Sequence, residues 1–217
     1  MTSQTRTRTR TKSRTRRRVP WLWAGLSAVV ALALLVALVA GGGAGPAEDT
    51  GLAQTRPVTV GGAALPPYQP GADPAVGTPG PELRGASFDG TPVAIARDGR
   101  AKLLVFLAHW CPHCRREVPV VVGHLRERPL PANVDLVAIA TGTDRGRPNY
   151  PPSRWLDREG WSAPVLADSD DGAAATAYGL TSFPYFVALD ANGTVVARAG
   201  GGLAPAELDR LVARAAG

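Results

Sequence analysis

The two cysteines of the chain, Cys111 and Cys114, stand between a short apolar run and a segment with helical character. The apolar run, residues 102–107, is continuous, which is typical of a strand buried on both faces of a sheet. The segment after the cysteines, residues 115–128, predicts a helix. A buried strand that leads directly into a helix begins an α/β unit, so this junction restricts the fold more than any other feature.

The rest of residues 77–217 alternates between strand and helix signals. Hairpins are predicted at Asp89-Gly90 and at Asn192-Gly193. Further strands are predicted at residues 134–140, 164–167, 185–189 and 195–197. Further helices are predicted at residues 153–159, with Ser153 as the candidate N-cap, at residues 171–178 and at residues 205–216. This order predicts an α/β fold in which helices flank a mixed β-sheet.

The spacing of the two cysteines has a chemical consequence. Cys111 falls at the start of the predicted helix, where unpaired backbone N–H groups and the helix dipole stabilise a thiolate. Cys114 follows one turn later on the same face, where its sulfur can resolve a mixed disulfide. The pair is therefore predicted to be redox-active. A purely structural disulfide is the weaker alternative, because closing so small a loop restrains the unfolded chain little.

At these residues the chain resembles the thioredoxin superfamily, and more narrowly the membrane-anchored bacterial TlpA/ResA-like thiol–disulfide oxidoreductases. The resemblance covers about residues 77–217. The matching segments are Phe88-Asp89-Gly90, Trp110-Cys111-Pro112-His113-Cys114, Arg115-Arg116-Glu117-Val118-Pro119 and Thr181-Ser182-Phe183-Pro184-Tyr185-Phe186.

The resemblance implies an enzyme of thioredoxin-like fold, without a cofactor, that acts on protein thiols or disulfides. Cys111 would be the nucleophile and Cys114 the resolving thiol, with Pro112 in the first helical turn. Pro184 would be a cis-proline facing the dithiol. Trp110, Phe183 and Pro184 would contact the substrate.

Two further residues are expected to support the dithiol. Pro112-His113 resembles the pair of the bacterial periplasmic disulfide oxidase, which implies that His113 stabilises the thiolate and makes a stronger oxidant. Glu117 resembles the acidic residue that this family places near the buried cysteine, although a surface carboxylate paired with Arg115 or Arg116 explains it equally well. Cytoplasmic thioredoxins usually carry a buried aspartate at the position of Val105, so a generic cytoplasmic-type reductase is disfavoured.

The direction of exchange stays open at this point. Pro112-His113 favours an oxidase, and the predicted anchor and Glu117 favour a dedicated reductase, for example in cytochrome c maturation. A copper-binding module of thioredoxin-like fold is a third alternative, with His109, His113 and His124 near the dithiol. No histidine follows His124, so a late metal ligand is missing and no metal site is predicted.

The N-terminal residues predict a membrane anchor. Residues 1–18 carry eight basic and no acidic side chains, and residues 19–40 are uncharged and mostly apolar. About 20 apolar residues cross a bilayer as a helix, whereas the apolar part of a cleaved signal, the competing interpretation, is usually shorter. Because positive charge stays cytoplasmic, residues 77–217 are expected outside the cytoplasm of a single-pass protein of the cell membrane. Residues 41–76, rich in glycine and proline, predict a linker.

The net charge of +6 comes from this basic tail. Removing its eight basic residues from the total of 24 leaves 16 against 18 acidic residues. The folded part therefore gives no reason to expect binding to nucleic acid. Its expected partners are substrate proteins and an unidentified redox partner in or outside the membrane.

Overall fold

The computed structural model describes residues 51–217, which form eight strands and four helices. In chain order these are β1 (Thr59–Gly61), β2 (Glu82–Ala86), β3 (Pro92–Ile95), β4 (Ala101–Leu107), α1 (Pro112–Glu127), β5 (Val134–Ala140), α2 (Pro152–Arg158), β6 (Val165–Ala167), α3 (Ala173–Ala177), β7 (Tyr185–Leu189), β8 (Val195–Gly200) and α4 (Pro205–Ala216). The predicted basic tail and membrane span lie outside the described residues. Within residues 51–217, no helix combines the length and the apolar character needed to cross a membrane.

The apolar run ahead of the cysteines forms β4, the middle strand of a five-stranded sheet in the order β6-β5-β4-β7-β8. The strands β4, β5 and β6 are parallel, and β7 and β8 are antiparallel to their neighbours. All seven residues of β4 are buried. This arrangement confirms the predicted mixed sheet.

Successive side chains of β4 point into two different cores, as the period of a strand requires. Leu103, Val105 and Leu107 belong to a core that includes residues of α1, α2 and α4. Leu104 and Phe106 belong to a second core on the other face, with residues of α3 and of the strands β2 and β3. Because both faces of β4 are buried, its sequence does not alternate between apolar and polar side chains.

A small antiparallel sheet in the order β1-β2-β3 contributes to the second core. The strands β2 and β3 form the hairpin predicted at Asp89-Gly90, and the Asp89 carboxylate accepts a hydrogen bond from the Thr91 N–H at 2.9 Å. Leu83 of β2 and Ile95 of β3 are buried against the central sheet.

The described part of the predicted linker differs from the expectation. Within residues 51–76, β1 pairs with β2, and Leu65 and Ala75 are buried. The Leu65 N–H donates to the Ala177 carbonyl at 2.8 Å, and the Tyr68 N–H donates to the Gly179 carbonyl at 2.9 Å. Backbone hydrogen bonds and an ion pair between Asp73 and Arg198 attach this segment to the domain. Attachment of this kind leaves no apolar periodicity in the sequence, so its packing could not be predicted.

The N-cap of one helix was predicted wrongly. The helix α2 begins at Pro152 with Pro151 as its N-cap, so Ser153 lies inside the helix and does not cap it. The helix α1 begins at Pro112, directly after Cys111, which confirms the predicted place of Cys111 at the helix start and extends the predicted helical segment by three residues. In both cases proline occupies the first helical position, where its fixed φ suits the helix and its missing N–H is not needed.

Candidate active site

Cys111 is the N-cap residue of α1, where the backbone changes from extended to helical. No side chain caps this end of the helix, and Pro112 brings no N–H to it. The remaining N–H groups of the first turn therefore lack a side-chain acceptor, which favours a negative charge on the adjacent sulfur. Cys111 is 6% exposed, so only a small part of the residue is accessible to a reaction partner.

Cys114 is fully buried one turn further along α1. Burial raises the pKa of its thiol far above the ordinary value, and the charges of Cys111 and Glu117 raise it further. Both cysteines are free thiols in this structure. The pair is therefore asymmetric: Cys111 is slightly exposed, whereas Cys114 is fully buried, and burial favours its protonated form. Disulfide exchange in two steps requires this asymmetry, because the inner thiol must wait until a mixed disulfide has formed.

The loop before β7 lies directly against Cys111. The Phe183–Pro184 peptide bond is cis, which confirms the expectation from the resemblance. The Phe183 carbonyl lies 4.0 Å from the Cys111 sulfur. The rings of Trp110 and Phe183 meet edge to face, with centroids 5.8 Å apart. The three residues expected to contact the substrate are thus assembled around the outer sulfur.

Glu117 is buried and does not form a surface ion pair. It is 6% exposed, and its Oε1 accepts a hydrogen bond from the Leu203 N–H at 3.0 Å. Gly202 leaves room for the carboxylate, since a Cβ at that position would lie 2.9 Å from Oε2. Burial raises the pKa of Glu117, with a smaller contribution from Glu207 and an opposing one from the Leu203 hydrogen bond. The surface alternative weighed from the sequence is therefore wrong.

We expect Glu117→Gln to stabilise the protein at neutral and alkaline pH. A raised native pKa means that the folded state holds the proton more tightly, so stability falls as pH rises from the ordinary value of 4.5 through the native pKa. Glutamine keeps an acceptor for the Leu203 N–H and removes this cost. The free energies of unfolding of the variant and the wild type are measured by urea denaturation between pH 4 and 9. The advantage of the variant should grow as pH rises.

Glu127→Gln, on an exposed residue of the same helix, is the matched control. This substitution should change the pH dependence of the free energy of unfolding little. A free-energy difference that stayed constant from pH 4 to 9 would show that ionisation of Glu117 carries no cost in the folded protein, contrary to the expectation.

The three histidines near the dithiol have protein partners of their own. His113 is exposed, and its Nδ1 accepts a hydrogen bond from Arg116 at 2.9 Å, whereas no hydrogen bond joins its ring to the Cys111 sulfur. His124 Nε2 lies 2.6 Å from the Asp209 carboxylate. His109 is buried and hydrogen-bonded to the loop after β5. Among residues 51–217, no three His, Cys, Asp or Glu side chains are grouped as a metal would require.

The loop after β5 is the part of the site that the sequence analysis missed. We define this β5–α2 loop as residues 141–151. The indole N–H of Trp110 donates to the Gly142 carbonyl at 2.7 Å, and the Arg147 guanidinium lies 4.3 Å from the centre of the Trp110 ring. A second cis bond, Tyr150–Pro151, ends the loop. The one available signal was His109, which was considered only as a metal ligand.

The chain matches known proteins over the folded region. A family model described as Redoxin matches residues 75–211. The methylamine utilization protein MauD of Methylophilus methylotrophus is 28% identical over 130 residues, which are 58% of this chain and 56% of that protein. The chain therefore matches little more than half the length of this curated relative.

Two solved structures resemble the chain in sequence as well as in fold. A thiol:disulfide interchange protein of the thioredoxin family from Chlorobium tepidum TLS has 28% identity and a TM-score of 0.53, covering 66% of this chain and 99% of its own. A secreted Mycobacterium tuberculosis disulfide oxidoreductase homologous to E. coli DsbE has 25% identity and a TM-score of 0.50, covering 60% and 93%. The fold is therefore thioredoxin-like, and with the family model covering well over half of its length, the chain belongs to the redoxin family.

Proposed function

We propose that the protein exchanges disulfides with secreted or membrane proteins outside the cytoplasm, through Cys111 and Cys114. Thiol–disulfide oxidoreductase activity itself follows from membership of the redoxin family. The assignment of the two cysteines is carried by one observation, an outer sulfur at an uncapped helix N-terminus beside an inner thiol that is fully buried. The extracytoplasmic location is supported by the basic and apolar segments at residues 1–40.

The oxidising direction begins with the Cys111–Cys114 disulfide. A substrate thiolate attacks the Cys111 sulfur, the bond between the two cysteines breaks, and Cys114 leaves as a thiolate that takes up a proton. A second substrate thiolate then attacks the first substrate sulfur, and Cys111 leaves as a thiolate. Two electrons have passed to the protein, and the substrate holds a new disulfide. Reduction of a substrate disulfide is the same sequence in reverse.

The geometry at Cys111 favours oxidation of substrates. The amides at the start of α1 stabilise the Cys111 thiolate, and a more stable reduced form makes a stronger oxidant. This argument does not need the contact with His113 that the sequence analysis expected, because the uncapped helix end supplies the stabilisation.

A dedicated reductase is the second candidate, and the burial of Glu117 favours it. In the reducing direction, Cys114 must lose its proton before it attacks the mixed disulfide at Cys111. The raised pKa of the Cys114 thiol makes that loss difficult. Glu117, three residues further on the same helix, is buried and has a raised pKa, so its carboxylate is a suitable proton acceptor within the interior.

We expect the reduction potential of the dithiol to decide between the two directions. The full-length chain holds only these two cysteines, so a titration in glutathione redox buffers reports on this pair alone. A potential near about −120 mV is expected for the oxidase, as for strong oxidants. A potential at or below about −250 mV would assign the protein to the reduction of particular partners. Failure of the two cysteines to form a disulfide would overturn both directions.

A further inference from the structure

The β5–α2 loop is fixed to the residues that precede the dithiol. His109 is 1% exposed. Its Nδ1 lies 2.7 Å from the Pro148 carbonyl, and its Nε2 lies 3.2 Å from the backbone N–H of Asp144. A carbonyl requires a donor and an N–H requires an acceptor, so the ring is neutral with its hydrogen on Nδ1. The Asn149 side chain donates to the His109 carbonyl at 3.0 Å. His109 is therefore a positioning residue for the loop.

This attachment places a cation on the residue next to the reactive cysteine. Trp110 directly precedes Cys111, the Arg147 guanidinium lies over its ring, and Phe183 contacts the same ring edge to face. The Arg147 side chain is 52% exposed. Its Nε forms an ion pair with the Asp144 carboxylate at 3.3 Å, and a guanidinium has five N–H donors, more than one carboxylate can occupy. The planar guanidinium thus keeps donors for an external carboxylate.

The charges around the dithiol are unevenly distributed. Residues 51–217 hold 16 basic and 16 acidic side chains, so the described part of the chain is neutral overall. Arg115 and Arg116 are exposed in the first half of α1, within five residues of Cys111, and Arg145 and Arg147 are exposed on the β5–α2 loop. The exposed acidic residue of the loop is Asp144, whereas on α1 Glu117 is buried and the exposed Glu127 lies in the last turn, beside Arg126. The exposed Asp170 and Asp171 come after β6, which is two strands away from β4.

We propose that Arg147 is a specificity-determining residue that binds an aspartate or glutamate next to the target cysteine of a substrate protein. The proposal rests on the proposed function, since it concerns the substrates of the same dithiol. A peptide that reaches the Cys111 sulfur passes the Trp110 ring, and a carboxylate within one or two residues of its cysteine then meets the guanidinium. Exposed pairs of this kind contribute little energy, so the preference is modest and depends on salt.

The test compares three peptides with one cysteine each, flanked by aspartate, asparagine or lysine. They are reacted in excess with the oxidised full-length chain in detergent, where one peptide forms a mixed disulfide with Cys111 and a second peptide releases it as a peptide–peptide disulfide. The rate at which the Cys111–Cys114 disulfide is lost is measured. The charge next to a cysteine also changes its own reactivity, so the wild-type rate is divided by the Arg147→Gln rate for each peptide. This ratio should be about two- to five-fold higher for the aspartate peptide than for the asparagine peptide. At high salt the ratios for the aspartate and asparagine peptides should become equal.

Arg214→Gln is the matched control, because Arg214 is exposed in the last turn of α4. That end of α4 contacts Asn133, just before the start of β5, and so lies at the opposite end of the sheet from the dithiol. Arg147→Glu should reverse the preference in favour of the lysine peptide. Equal ratios for all peptides, or an equal effect of Arg214→Gln, would overturn the proposal while leaving disulfide exchange intact. A wild-type chain that reacts with no peptide would overturn the proposed function and this inference together.

Discussion

Replacing Cys114 by alanine is expected to convert the protein into a trap that holds its substrates as mixed disulfides at Cys111. Without the inner sulfur, no group of the chain can attack the Cys111–substrate bond, since the full sequence has no third cysteine. Release then depends on thiols from solution or on attack by the second cysteine of the substrate itself. Turnover should fall by a factor on the order of 10³ or more, as for other groups that act as one catalytic unit.

The trapped species can be measured directly. Full-length Cys114→Ala chain, incubated with disulfide-containing secreted proteins, should give products of higher mass on non-reducing gels, and dithiothreitol should release them. Cys111→Ala is the matched control and should give neither turnover nor trapping, because the Cys114 sulfur is fully buried. Mixed disulfides that formed at Cys114 in that control would contradict the assigned roles.

The central part of this site could be predicted because its determinants are local in sequence. The continuous apolar run of β4 identifies a buried strand, and the cysteine spacing places both sulfurs on one face of the following helix. The strand β5 and the helix α4 have the bounds that were predicted, Val134–Ala140 and Pro205–Ala216. The cis bond at Pro184 came from the family resemblance, since no local pattern distinguishes it from a trans bond.

The environment of the supporting residues could not be predicted, because it depends on distant parts of the chain. The Glu117 carboxylate lies against the loop at Gly202 and Leu203, about 86 positions further along the sequence. His109 is fixed by carbonyl and amide groups 35 to 39 positions away. Backbone groups of this kind are present at every residue, so the sequence carries no signal of which ones a side chain will meet.

The packing of residues 51–76 also lacks a local signal in the sequence, because the groups that hold this segment come from distant parts of the chain. Its attachment to the domain depends on polar groups, above all an ion pair between Asp73 and Arg198 of β8. The Arg198 side chain is 0% exposed and that of Asp73 is 8% exposed. Arg198 Nε donates to the Asp73 carboxylate at 2.7 Å, and Nη1 donates to the carbonyls of Pro66 and Tyr178. A domain that began at residue 77 would leave this guanidinium buried without its counter-ion.

We therefore expect Asp73→Ala to destabilise the full-length protein by about 3–5 kcal/mol, because it leaves an uncompensated charge in the interior. Asp135→Ala, which removes the exposed partner of Arg100, is the matched control and should cost no more than about 1 kcal/mol. The free energies of unfolding are compared by urea denaturation at pH 7. Equal losses in the two variants would show that the Asp73–Arg198 pair is not sealed from water.

The pH dependence of this loss gives an independent check. Burial opposes ionisation of Asp73, but the hydrogen bonds from Arg198 and Ala75 outweigh it, so the native pKa lies below the ordinary value of 3.8. A depressed native pKa means that the stabilisation is present above 3.8 and is lost as pH falls through the native value. The gap between wild type and Asp73→Ala should therefore be full at neutral pH and close in acid. A gap that persisted unchanged in acid would mean that the lost packing of the aspartate, and not its charge, attaches this segment to the domain.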